Sequence, residues 1–113
     1  LSLLRAKFAD NLAEAFGLKA QKDELFLMGL FSVLDVILEK PMAEALKVVH
    51  VAGEISNALI YRIGVLAPVY DFMLQYETAN WAEVSRLMLL KNIDMNTVYE
   101  AYTSALKWYR TVR

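Results

Sequence analysis

From Leu25 to Leu38 the chain carries only apolar side chains and glycine, except at Ser32 and Asp35. A helix that is apolar on nearly every face has to be enclosed by other helices. The run therefore predicts a buried central helix with the remaining chain wrapped around it. It is shorter than the ~20 residues a bilayer span takes, and Asp35 lies near its end. No membrane partner is expected.

The flanking sequence supplies the shell. Leu1, Leu4, Phe8, Leu12 and Phe16 recur at three- and four-residue intervals, one face of a helix over residues 2–16. Arg5, Asp10 and Glu14 fall away from that face, and Gly17 suits a left-handed C-terminal stop. Asp23 and Glu24 open the central helix, where acidic groups complement the dipole, and Pro41 closes it near Glu39–Lys40. Short helices follow from Pro41 and over 54–63, joined by a connection from His50 to Gly53. Gly64 ends the second. A further helix buries Leu66, Val69, Phe72, Met73 and Tyr76. Asn80, with Glu83 three residues on, caps the next one, which buries Val84, Leu87 and Met88. Asp94 caps the last, with Val98, Tyr99, Tyr102, Leu106, Tyr109 and Val112 along its apolar stripe. No stretch alternates with the period of a strand. The prediction is all-α: one compact domain of about seven helices spanning residues 1–113.

Composition narrows the function. A formal net charge of −1 leaves no basic stripe for a phosphate backbone, so nucleic acid is not an expected partner. With no cysteine there is neither a disulfide framework nor a thiolate site. That suits the cytoplasm, as does the lack of an opening signal segment. Leu1 stands in place of a start methionine and the chain opens directly in helix, which points to a piece of a longer polypeptide.

Polar groups are not arranged for catalysis. His50 is the single histidine, without a second imidazole to share a metal, and reads as a turn or core residue. Ser32 and Asp35 share a flank of the central helix. The pair reads either as a remnant of a polar pocket or, as expected here, structurally, with Ser32 bonding back to its own helix and Asp35 reaching solvent or an arginine. Gly29, Ser32 and Val36 form a small-residue strip suited to close helix packing. The acidic residues scatter over outer faces, with neither a phosphate loop nor a nucleophile elbow. Trp108 lies off the stripe of the last helix, where an exposed aromatic is a candidate contact for another domain or chain.

The run Phe26-Leu27-Met28-Gly29-Leu30-Phe31-Ser32-Val33-Leu34-Asp35 resembles the signature helix of HDOD domains, the HD-related output domains of bacterial signalling proteins. In catalytic HD phosphohydrolases the matching helix reads Gly-Leu-Leu-His-Asp-Ile-Gly, and its His-Asp pair holds the metal. Aligned on Gly29-Leu30-Phe31, that pair falls on Ser32 and Val33, which cannot serve as such ligands. Arg5-Ala6-Lys7-Phe8-Ala9 with Leu12-Ala13, Pro41-Met42, Glu54-Ile55, Ala58-Leu59, and Tyr76-Glu77 with Trp81 resemble further segments of the same domain, in order. The connection from Val48 to Gly53 departs from the proline-containing loop of that pattern. The chain is most similar to the EAL–HDOD subgroup, signal transduction proteins of the YuxH type, in which serine typically replaces the histidine.

The resemblance implies an HD-domain-like bundle forming the C-terminal portion of an HDOD region. An EAL domain, a cyclic-di-GMP phosphodiesterase or its inactive descendant, and the earlier HDOD helices would lie upstream of Leu1. It implies a non-catalytic output module that needs no cofactor and regulates through contact with that EAL domain or another signalling protein. Leu1 and Leu4 on the first helix and Trp108 on the last are the candidate interaction surface, and the first-helix face is also a candidate for pairing two copies. The competing reading is a degenerate metal-dependent phosphohydrolase.

Overall fold

A computed structural model describes residues 1–51 and 53–112, and these residues are helical without a strand. Ala52, inside the predicted connection, lies outside the described residues. The α-helices are α1 (Ser2–Leu12), α2 (Lys22–Phe31), α3 (Leu34–Leu38), α4 (Met42–Ala45), α5 (Gly53–Ser56), α6 (Ala67–Glu77), α7 (Trp81–Lys91) and α8 (Met95–Val112). Taken with α2 and α3 as one bent unit, they are the seven of the sequence pattern.

The core forms where α1 meets α2, α6 and α8. Ala6, Phe8, Ala9 and Leu12 of α1 are buried, against Leu25 and Met28 of α2, Phe72 and Met73 of α6 and Val98 and Ala105 of α8. Phe8 forms a triangle of rings with two tyrosines, its centroid 5.3 Å from Tyr76 and 5.1 Å from Tyr102, which are themselves 5.1 Å apart. Edge-on and tilted contacts at such distances add to the apolar burial of each ring.

α1 and α2 cross at Gly29. A Cβ built there would lie 2.6 Å from the Arg5 carbonyl oxygen and 2.7 Å from the Ala6 Cα. The close packing expected of the small-residue strip is therefore backbone against helix. Two other predicted signals also hold. Gly17 takes φ 71° after the first helix, and the Asn80 Oδ1 accepts from the Glu83 amide at the start of α7.

Several expectations need correction. The first helix ends at Leu12, and residues 13–17 continue only as turns. The central helix is not continuous: it breaks at Ser32 (φ −67°, ψ −10°) and Val33 (φ −112°, ψ 8°). The Ser32 hydroxyl donates to the Gly29 carbonyl at 2.7 Å and the Ser32 amide approaches the same oxygen at 3.3 Å. A serine that saturates the carbonyl three residues back competes with the next helical bond. Beyond the break the run leaves the core, with Val36 73% and Ile37 63% exposed. The division is not clean: Leu27 before the break is 40% exposed, and Leu34 after it still packs against the core.

Two charges expected outside lie inside. Asp10 is buried, held by the ammonium groups of Lys7 and Lys22 at 3.2 Å each. Arg5 is mostly covered and is described below. Tyr99, expected on the buried stripe of α8, is exposed. His50 occupies a turn, exposed and left-handed at φ 53°.

Candidate functional site

The break between α2 and α3 organises a polar junction of three helices. Arg5 reaches it from α1. Its Nη1 donates to the Ser32 Oγ at 3.1 Å and approaches the Ser32 carbonyl at 3.5 Å. On its other side the guanidinium grips the Glu77 carboxylate at the end of α6, with Nε 2.8 Å from Oε2 and Nη2 2.7 Å from Oε1. Paired N–H groups of a guanidinium match a carboxylate in this forked geometry. The arginine thus ties together three helix ends and partners a serine at a point where the helical ladder is interrupted.

The same junction opens into a groove of about 580 Å³. Ser32, Val33, Tyr70 and Leu74 line its interior, and Leu1, Val36 and Ile37 give it an apolar wall. Arg5, Asp35 and Arg62 bring charge to it. That volume falls within the range of small-molecule and peptide side-chain pockets.

Arg62 is delivered by an irregular piece of backbone. α5 continues as a π-turn over Asn57–Tyr61, and Arg62 follows in the left-handed region at φ 57°. π-turns occur often where a chain must re-aim a side chain. Here the Arg62 Nη1 donates to the Asp71 Oδ1 at 2.8 Å, and the guanidinium carbon stands 4.7 Å from the Tyr70 ring centre. Tyr70 itself is only 6% exposed. Burial pushes its phenol above the ordinary value of 10.0, and the Arg62 and Arg5 guanidiniums pull against that rise.

Ser32 and Val33, the two positions matched to a metal-binding His-Asp pair, thus lie in the groove. Their surroundings do not fit a divalent cation. Val33 offers no donor side chain, the Ser32 hydroxyl is spent on the Gly29 carbonyl, and a guanidinium stands beside it. Among the described residues no three His, Cys, Asp or Glu side chains gather as a metal-ligand set. Ser32 bonds back to its helix as expected.

The remaining candidates scatter. Leu1 is exposed at the groove rim, whereas Leu4 packs against the core. Trp108 is half-buried, edge-on to Phe26 at 6.1 Å and with the Lys7 ammonium 5.6 Å from its ring. Only Leu1 joins the groove. Sequence reasoning left out Arg5, Arg62, Tyr70 and Glu77 as site residues. One signal was present: Arg5 and Glu77 belong to two of the segments that carry the family resemblance, and their ion pair joins those segments in space.

No protein-family model matches the chain, and no solved structure matches it. It is similar to part of the cyclic di-GMP phosphodiesterase CdgJ of Vibrio cholerae, 30% identical over 112 residues, which is 99% of this chain and 26% of that protein. It is also similar to part of the uncharacterized protein YuxH of Bacillus subtilis, 28% identical over 108 residues, 96% of this chain and 26% of that one. The chain spans about a quarter of the length of the curated relatives it matches.

Proposed function

We propose that this chain is a non-catalytic, HDOD-like output module that regulates by contact with a protein partner or a neighbouring EAL domain in cyclic-di-GMP signalling. The observation that carries the reading is the state of the Ser32–Val33 junction. Where a phosphohydrolase would hold an ion between a His-Asp pair, this fold holds the Arg5–Glu77 ion pair against a serine. The similarity to part of CdgJ supports the link to cyclic-di-GMP turnover. An output module needs a surface whose contacts differ between two states, and the groove beside that junction, with exposed Val36 and Ile37, is the candidate for it.

The test has two parts. The 113-residue chain, purified without chelator, is assayed for bound divalent metal and for hydrolysis of a generic phosphodiester, both expected to be absent. The natural polypeptide is then compared with a version lacking these residues, and its cyclic-di-GMP hydrolysis is expected to change. Stoichiometric metal with turnover by the isolated chain would make it a degenerate phosphohydrolase. Unchanged hydrolysis, or a natural polypeptide without a cyclic-di-GMP-processing domain, would end the regulatory reading.

A further inference from the structure

The charges around the groove do not cancel. Arg5 is neutralised by Glu77 and Arg62 by Asp71. Asp35 lines the same groove and enters none of the ion pairs among the described residues. Side chains therefore leave one net negative charge there. Tyr70 lines the same groove. This side chain is more than nine-tenths buried, yet the hydroxyl makes no hydrogen bond to another described residue. Among the described residues no fully enclosed polar side-chain atom lacks a partner, so the hydroxyl keeps some exposed surface, and the groove is what Tyr70 lines. Asp35, Arg5 and Arg62 line that groove together with Tyr70, and the Arg62 guanidinium carbon stands 4.7 Å from the Tyr70 ring centre.

An unpaired carboxylate, an unpartnered hydroxyl and an apolar wall together specify a ligand. It needs an apolar body for Val36 and Ile37 and a cationic donor for Asp35 and Tyr70. We infer that the groove docks an amphipathic helical segment of a partner protein that carries a lysine or arginine among its apolar side chains. The cation donates to the Asp35 carboxylate and to the Tyr70 phenol oxygen, and the apolar residues cover Val36 and Ile37 in the manner of a helix laid in a groove. An acidic segment would meet the uncompensated Asp35 and be rejected. This rests on the output-module reading and gives its partner a chemistry.

The probe is a fluorescein-labelled helical peptide of leucine and alanine with one central lysine, set against the same peptide with glutamate there. The chain is N-acetylated so that no terminal ammonium enters the groove at Leu1. Fluorescence anisotropy should show the lysine peptide binding about tenfold more tightly. Asp35→Asn should abolish that preference while keeping residual binding, and Val36→Ser, which removes apolar wall without adding charge, should weaken both peptides. If Asp35→Asn fails to fold, as judged by circular dichroism, the wild-type preference is followed with salt and should shrink as the ionic strength rises. Equal affinity for the two peptides, no binding of either, or a preference that survives Asp35→Asn or high salt would overturn the assignment. So would a dimer of the chain alone that Val36→Glu dissociates, since a second copy would then occupy the groove. The outcomes separate from those of the preceding test: altered hydrolysis on deletion without peptide binding removes the groove assignment and leaves the module reading. Peptide binding by a chain that also turns over phosphodiesters does the reverse.

Discussion

Arg5 and Glu77, 72 residues apart in sequence, are joined by a two-nitrogen ion pair whose side chains keep only 13% and 23% of their surface exposed. The pair closes α1 onto the end of α6, and its arginine also partners the serine at the α2–α3 break. Removing one member leaves a covered charge without its counter-ion. Glu77→Gln is expected to cost about 2 kcal/mol, between the values for exposed and buried pairs. A double variant with Arg5→Met and Glu77→Leu should lose less than the sum of the two single variants. Urea unfolding of the four proteins measures the coupling.

The crossing at Gly29 makes an opposite pair of predictions for two glycines. Gly29→Ala would force a Cβ against the backbone of Arg5 and Ala6, which cannot rotate away. The cost of overpacking, about 1–3 kcal/mol or more, exceeds the helix-propensity gain of alanine. At Gly53 a Cβ meets nothing within 4 Å. Gly53→Ala should therefore be neutral or stabilising by roughly 0.5 kcal/mol. Denaturant midpoints of the two variants should move in opposite directions or differ in size by several-fold.

Tyr70 sets an alkaline limit. Its folded-state value is raised, chiefly by burial, so the fold holds the phenolic proton more tightly than the unfolded chain does. The stability tied to it is complete below the unfolded value near 10 and is lost as pH rises through the higher folded value. Tyr76 is raised for the same main reason, with Tyr102 and Tyr99 adding to it. Ultraviolet titration of the six tyrosines should show a late-ionising fraction. Tyr70→Phe should flatten the fall in stability at alkaline pH.

The aromatic stack around Phe8 carries much of the core. Phe8 is 1% exposed and in ring contact with both Tyr76 and Tyr102. Phe8→Ala should cost about 3–5 kcal/mol through lost burial and the cavity left behind. Tyr76→Phe keeps the ring, so its thermal unfolding should stay close to that of the wild type while near-ultraviolet circular dichroism reports the altered stack.

Local signals in the sequence were legible where their physics is local. Gly17 needs only its own backbone freedom to end the turns that follow α1, and Asn80 needs only the amide three residues on. Gly29 was readable as a close approach because its neighbours on the same flank are small. The break at Ser32–Val33 was not readable, because its compensation comes from Arg5, 27 residues away in sequence, and an apolar run says nothing about a distant donor. Asp10 looked like a solvated face until Lys22 of the next helix came within 3.2 Å. The groove needed Arg62, and that placement depends on a π-turn with no sequence rule of its own.

The packing of α8 on α1 also constrains the order of assembly. Asn11 donates to the Ala101 carbonyl at 2.9 Å and Phe8 meets Tyr102, so the first helix gains its last cover from the final one. A nascent chain still threading α8 through the ribosomal exit tunnel would leave Phe8 uncovered on that side. Synthesis must run past Tyr102 before the hydrophobic centre can seal, and chaperones would have their longest access to α1.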